Sequence, residues 1–248
     1  MPPGNSWVTT VPTSNRHDGY NYLVTYCLST TKMVSIEDSM AGVPHSASAT
    51  VLIAAPRIDL CLDFANTLFW RGSAPEESLH TFADLLEWCV KAAVLSKHEA
   101  IEYRSLAKND PARASEIFSE AIAMREAIYR IVYSAASGKV PAETDLRTLN
   151  EGLKRAPVRS RIEHSSNAFG WRVERIKPDA AAMLAPVLWS AADLLVGPSL
   201  ARVRHCANDR CLWLFLDESK NSTRRWCSMQ SCGNRAKAHR HYLRQTQT

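Results

Sequence analysis

Four cysteines near the C-terminal end place the tightest constraint on how this chain can fold. They form two Cys-x4-Cys pairs, Cys206 with Cys211 and Cys227 with Cys232, and fifteen residues separate the pairs. Tetrahedral zinc needs four ligands that converge at about 2.3 Å, and two short loops that each supply two thiolates meet this need with little strain. The spacing therefore predicts one zinc ion held by all four cysteines.

The segment between the two pairs is too small to fold without a metal ion. Its main apolar run, residues 212–216, cannot form a core alone, so zinc binding at about 10–16 kcal/mol would supply most of its folding free energy. Four thiolates close the coordination shell, which favours a structural ion over a catalytic one. The alternatives are metal-free thiols, a redox pair, or a site completed by His205 or His239.

Basic charge is concentrated around these cysteines. Residues 201–248 contain ten Lys and Arg against three Asp and Glu, a net charge of +7. The whole chain has 30 basic and 25 acidic residues, which leaves 20 and 22 for residues 1–200, a net of −2. Such a concentration favours contact with a phosphate backbone, because each neutralised phosphate releases condensed counterions.

The sequence after Cys232 has good helix propensity and aligns its basic residues. Lys237, Arg240, His241 and Arg244 follow steps of three and four residues, so they fall on one side of a helix. The alternative is a solvated basic helix that only keeps the segment soluble. We predict that six basic residues contact the phosphates of DNA: Arg224, Arg225, Arg235, Lys237, Arg240 and Arg244.

Two other functions compete with DNA binding. RNA binding would use exposed aromatic residues to stack on unpaired bases, and Trp213, Phe215, Trp226 and Tyr242 are available. We expect the first three to form the small core of the finger instead. The finger could also be a protein-interaction module attached to a helical domain that senses a small molecule.

The rest of the chain has the periodicity of a helical bundle. The spacing predicts amphipathic helices over residues 81–96, from Ser96 with Glu99 as its capping box, and from Asp110-Pro111 to Gly138. Further helices are predicted from Pro141 to residue 157 and from residue 178 to Gly197. Pro186 should kink the last helix or mark its true beginning. Alternation over residues 160–176 predicts a β-hairpin.

The predicted fold class is therefore mainly α. A helical bundle with a small β-hairpin is followed by a small C-terminal zinc-binding β/α finger. The predicted domains are a weakly ordered N-terminal arm over residues 1–48, a helical domain over residues 49–197, and a zinc finger with a basic C-terminal helix over residues 201–248.

Polar residues interrupt the apolar run that opens the helical domain. Within residues 58–68, IDLCLDFANTL, these are Asp63, Asn66 and Thr67. Polar side chains inside an apolar run need partners, so the three are candidates for binding a small-molecule effector. The competing interpretation is that they cap the following element.

Several classes of protein are disfavoured. No basic region followed by an apolar run resembles a secretion signal, and no apolar stretch approaches the roughly 20 residues that span a bilayer. We expect a cytoplasmic protein that does not contact membranes. Phosphate loops, nucleophile elbows and HExxH motifs are also missing from the sequence, so no enzymatic activity is expected.

The cysteine-bearing segment resembles a known family. The pattern C-x4-C, WLFLD-x-S-x-N-x-x-RRWC-x4-CGNR-x-K over residues 204–244 is similar to the CGNR zinc finger of bacterial proteins described as stress-induced transcription regulators. In that family a helical ABATE domain precedes the finger, and LCLDFANTL at residues 60–68 resembles its opening motif. The resemblance implies a transcription regulator whose finger binds DNA and whose helical domain is a candidate sensor.

Overall fold

The computed structural model describes residues 50–165, 168–174 and 176–246. The predicted N-terminal arm, residues 1–48, lies outside this part of the chain. Residues 50–197 are called the helical body below, and residues 201–246 are called the finger.

Helices make up most of the regular structure, which confirms the predicted mainly α class. None of the helices in the described part combines the length and the apolarity needed to cross a bilayer. In chain order the helices are α1 (Leu60–Ala65), α2 (Phe82–Lys91), α3 (Lys97–Asn109), α4 (Pro111–Ala136), α5 (Glu143–Arg155), α6 (Ala180–Met183), α7 (Ala185–Val196) and α8 (Asn234–Thr246).

The predicted caps fix the ends of α3 and α4. Ser96 and Glu99 form a reciprocal capping box at the start of α3. The Asp110 side chain caps α4, whose first residue is Pro111, and Gly138 lies just beyond the end of α4 with a φ of +67°. The structure therefore confirms the predicted start of α3 and both predicted ends of α4.

Two helices differ from the prediction in their length or continuity. Helix α2 ends at Lys91, five residues before the predicted end, because the backbone turns at Ala93 with a φ of +55°. The last predicted helix is divided at Leu184 into α6 and α7. Pro186 lies in the first turn of α7, where its missing N–H costs nothing, so the prediction that Pro186 marks a true beginning is confirmed.

Strands form small antiparallel sheets. They are β1 (Thr50–Ile53), β2 (Leu68–Phe69), β3 (Glu76–Glu77), β4 (Arg161–Ser165), β5 (Ala168–Glu174), β6 (Val203–His205) and β7 (Leu214–Leu216). The predicted hairpin is β4 with β5, and the structure extends it to three strands because β1 pairs with β5, placing Val51 opposite Val173. Strands β2 and β3 pair with each other, as do β6 and β7.

The core of the helical body is built around α4 and continues into the finger. Ile117 and Ile131 of α4 are fully buried in it. Val203 of β6 and Leu214 of β7 belong to the same apolar cluster. The β-hairpin of the finger is therefore packed on the helical body, and the finger shares part of its core with that body.

Candidate metal centre and the surface around it

The four predicted zinc ligands converge. Their sulfur atoms all lie within 4.8 Å of one another, and all four residues are buried. The Cys211 and Cys227 sulfurs are 3.7 Å apart, and those of Cys227 and Cys232 are 3.8 Å apart. A tetrahedron with bonds of about 2.3 Å has edges of about 3.8 Å. The donor set therefore fits a tetrahedral thiophilic cation.

Two turns of the finger position these sulfurs. Cys206 follows β6, and its backbone N–H donates to the carbonyl of Trp213 at 2.8 Å. Cys211 ends a turn in which its N–H donates to the Asn208 carbonyl. Cys232 lies in a single π-helical turn, Met229–Gly233, that leads into α8. The second cysteine pair therefore anchors the beginning of α8.

Four thiolates this close together repel one another unless a positive charge lies among them. Hydrogen bonds from Cys211 and Cys227 lower the pKa of the Cys206 thiol. The hydrogen bond with Cys206 raises the pKa of the Cys211 thiol, and the pKa of the Cys227 thiol is raised for the same reason. The four sulfurs cannot all be thiolates without a cation among them, and a divalent ion removes this conflict.

Of the two alternative histidine ligands, His205 lies away from the four sulfurs. The His205 ring lies against the Tyr133 ring of α4, with the two planes tilted by 41° and the centroids 5.0 Å apart, and it is not among the groups that converge with the cysteines in the described residues. The side chain of His239 lies outside the described residues. The Asn208 side-chain amide donates from Nδ2 to the sulfur of Cys232, one of the four predicted ligands, at 3.5 Å.

Aromatic residues form the apolar surroundings of the cysteines. Phe215 is buried with them, and Trp213 and Trp226 pack against the cluster. This confirms the expectation that these three rings build the small core of the finger. Trp70 of the helical body also packs there. Its contribution is not visible in the sequence because more than a hundred residues separate it from the finger.

The six basic residues predicted to contact DNA differ in what the structure shows of their side chains: one is hydrogen-bonded within the finger, three others are exposed, and two have side chains outside the described residues. The Arg224 Nε donates to the Trp226 carbonyl at 3.0 Å, its guanidinium also donates to the Cys227 carbonyl, and its Cζ lies 4.5 Å from the Phe215 ring centroid. Arg225, Arg235 and Lys237 are exposed. Arg240 and Arg244 lie on α8, but their side chains are outside the described residues.

The segment before Arg224 is organised by Asp217, which sequence reasoning missed. Its buried carboxylate accepts from the Ser219 N–H at 2.9 Å, the Ser219 hydroxyl at 2.6 Å and the Arg224 N–H at 3.0 Å. The hydrogen bond from Ser219 lowers the pKa of Asp217. An Asp two residues before a Ser is a common turn signal, so the D-x-S pattern could have revealed this role.

The three candidate effector residues already hold protein partners. The buried Asn66 side chain donates to the Leu214 carbonyl at 2.8 Å and accepts from the Leu214 N–H at 3.0 Å. Thr67 donates to the Phe64 carbonyl and accepts from Arg125. Asp63 pairs with Arg57 at the surface. Asn66 thus joins the helical body to β7 of the finger.

Partly buried ion pairs hold the segment after α1 against α4. Both carboxylate oxygens of Glu77 accept from Arg125 at 2.7 Å, and Glu126 accepts from Arg71 at 2.7 and 3.0 Å. Burial opposes ionisation of the two carboxyl groups, but the arginine hydrogen bonds outweigh it and lower the pKa of both. These pairs hold Arg71, and therefore the chain on either side of it, in one position.

Comparison with known families gives two matches that do not overlap. A family model described as "putative stress-induced transcription regulator", ABATE, matches residues 59–198. A second model, described as the CGNR zinc finger, matches residues 202–245. The first spans more than half of the chain, and both confirm the resemblance that was inferred from the sequence motifs. No curated protein matches the chain.

Proposed function

Because the chain belongs to the ABATE family and carries a CGNR zinc finger, we propose that it is a zinc-dependent regulator of transcription that binds duplex DNA in the cytoplasm. The observation that carries the proposal is the group of four buried sulfurs with tetrahedral spacing beside exposed basic residues. Reduced thiolate ligands suit a reducing compartment.

Zinc would serve as a structural ion. Four cysteine thiolates leave no open position for water or substrate, so the centre lacks the feature that catalytic zinc needs. The ion would instead hold the two turns together and fix the start of α8. We accordingly propose a binding protein and no enzymatic activity.

The phosphate contacts would come from Arg225, Arg235 and Lys237, together with Arg240 and Arg244 on α8. Arg224 has a different role in this proposal, because its guanidinium is bonded to the Trp226 and Cys227 carbonyls inside the finger. Duplex DNA is favoured over single-stranded RNA because three of the four available aromatic residues pack around the cysteines. Base stacking on them would require the core of the finger to open.

A salt titration tests the proposal. Purified protein should contain one zinc ion per chain, and its affinity for a labelled mixed-sequence DNA duplex, measured by fluorescence anisotropy, should fall with salt. With three to five phosphate contacts, the slope of the logarithm of the association constant against the logarithm of the salt concentration should be about −2.7 to −4.5. Lys237→Ala should remove one phosphate contact and so reduce the magnitude of that slope by about 0.9.

The matched control is Lys108→Ala, which removes one exposed charge from α3 in the helical body. It should leave the slope unchanged. Binding that is absent or insensitive to salt would eliminate the DNA proposal. Tighter binding to single-stranded RNA than to the duplex would favour the RNA alternative. Zinc without any nucleic-acid binding would favour the protein-interaction alternative.

A small-molecule effector is not proposed, because Asp63, Asn66 and Thr67 already have protein partners.

A further inference from the structure

A short loop of the helical body, residues 70–73, contacts the finger at both of its cysteine pairs; we call it the bridging loop. Near the first pair, the Gly72 N–H and the Ser73 hydroxyl both donate to the Arg210 carbonyl at 3.3 Å. Near the second pair, Trp70 lies under Arg235, three residues after Cys232. A single loop of the body therefore contacts both halves of the finger.

The bridging loop is held in an unusual and closely packed conformation. Trp70 has a φ of +51°, which is uncommon for a bulky residue. Its carbonyl accepts from the Ser73 N–H at 2.9 Å, which closes a turn. At Gly72 a Cβ atom would lie 1.7 Å from the Asp209 carbonyl oxygen, so only glycine allows this approach. Arg71 ties the same loop to α4 through Glu126.

This loop places an aromatic ring beneath one of the exposed basic residues of the finger. The Arg235 Cζ lies 4.6 Å from the centroid of the Trp70 ring, a cation–π distance. Arg225 has a similar contact, but its ring is Trp226 within the finger, at 5.6 Å. Of these two exposed arginines, Arg235 is therefore the one whose ring partner belongs to the helical body.

A guanidinium held over a ring is well suited to bind phosphate. Its five N–H donors lie in its own plane, so stacking one face on tryptophan leaves the edge free to donate to two phosphate oxygens. Stacking also restricts a long side chain before binding, which reduces the conformational entropy lost when the contact forms.

We propose that Trp70 is a positioning residue for nucleic-acid binding, which holds Arg235 in the orientation that contacts phosphate, so that the helical body sets the affinity of the finger. This inference rests on the proposed DNA binding and adds to it a defined route between the two parts of the molecule. A change in the helical body that shifts the bridging loop alters DNA affinity without any change at the cysteines.

A double-mutant cycle in the full-length zinc-loaded protein tests the inference. Affinity for the labelled mixed-sequence duplex is measured for the wild type, Trp70→Leu, Arg235→Ala and the double variant. Leucine keeps apolar volume at position 70 and removes the aromatic ring. Trp70→Leu should weaken binding about two- to fivefold, whereas adding it to Arg235→Ala should cause no further loss.

Two comparisons separate positioning from general damage. Trp70→Phe keeps a ring and should bind within about twofold of the wild type. In the Arg225→Ala background, Trp70→Leu should cost the same factor as in the wild type, because the ring under Arg225 lies in the finger. Zinc content and melting temperature, measured for every variant, should be the same for Trp70→Leu and Trp70→Phe.

The outcomes are distinct. If the wild type binds DNA in a salt-dependent way but the effects of Trp70→Leu and Arg235→Ala multiply independently, this inference is wrong and the proposed function stands. Equal affinities for the Phe and Leu variants would also overturn it. If the wild type does not bind duplex DNA at all, the proposed function is wrong and the inference is lost with it.

Discussion

The helical body and the finger reach a stable structure by different means. The body buries a large apolar core around the helix Pro111–Ala136, whose interior residues are fully covered. The finger has few apolar residues of its own, and the centre of its small cluster is four cysteines surrounded by tryptophan and phenylalanine rings. Burial of apolar surface therefore stabilises the first, whereas metal–thiolate bonds would stabilise the second.

The boundary between the two regions shows that this difference does not make them independent. Leu214 of the finger is buried in the core of the body, and its backbone is bonded to Asn66. Tyr129 of α4 donates to the Leu212 carbonyl at 3.0 Å, and Phe69 stacks on Trp213 at 5.4 Å. The finger, which we expect to need metal, is thus joined to a body with an apolar core of its own, and variants can test how far each depends on the other.

The largest effect is expected from Cys206→Ser. Loss of one thiolate from a closed four-sulfur site should abolish stoichiometric zinc binding and unfold much of the finger, because zinc supplies about 10–16 kcal/mol to such units. The helices of the body should remain, since their core is apolar. Metal analysis, circular dichroism and thermal unfolding would check this expectation.

The control for that variant is Cys89→Ala, which removes a buried thiol from the helical body. It should lower stability by about 1 kcal/mol and keep one zinc ion per chain. A Cys206→Ser protein that still unfolds at the wild-type temperature would show that the finger does not depend on metal, and the contrast between the two regions would disappear.

The features that could be predicted from the sequence are those with local signals. Ser96 with Glu99, Asp110 with Pro111, and the paired cysteines are each recognisable within a few residues, and the structure confirms the two caps and the convergence of the four sulfurs. Contacts between distant segments have no such signal. Asn66 and Leu214 are 148 positions apart, so the sequence does not show that they are partners. For that reason Asn66, a polar residue in an apolar run, was a candidate for binding a ligand.

Charge patterns were informative to the same limited extent. They identified the basic surface of the finger, but a count of charges cannot show where each guanidinium points. Arg224 is bonded to backbone carbonyls within the finger, whereas Arg235 rests on a ring from the body. The roles of these two arginines depend on tertiary contacts, which is why they could not be distinguished beforehand.

A smaller effect, located at the boundary, is expected from Asn66→Ala. The substitution removes two hydrogen bonds and leaves the Leu214 N–H and carbonyl buried without these partners, which should cost about 2–4 kcal/mol. The loss should appear in urea unfolding, together with weaker DNA binding and normal zinc content. The control is Asn109→Ala, which removes an exposed amide that donates to the Ser105 hydroxyl and should change stability by less than about 0.5 kcal/mol. Unchanged stability in Asn66→Ala would mean that the hydrogen bonds between Asn66 and Leu214 do not stabilise the contact between the body and the finger.

The smallest effect is expected from Ser96→Ala, a change in the helical body away from the boundary. Its hydroxyl accepts from the Glu99 N–H at 3.2 Å at the start of α3, and loss of such a cap should lower the free energy of unfolding by about 1 kcal/mol. Because the hydrogen bonds of this cap join two residues of the helical body, zinc content and DNA affinity should both remain at wild-type values. Measured beside Asn66→Ala, it separates two ways in which the body could influence the finger. If Ser96→Ala weakened DNA binding as much as Asn66→Ala does, the influence would follow from overall stability. If only Asn66→Ala weakens binding, the influence passes through the specific contacts that join α1, the bridging loop and the finger.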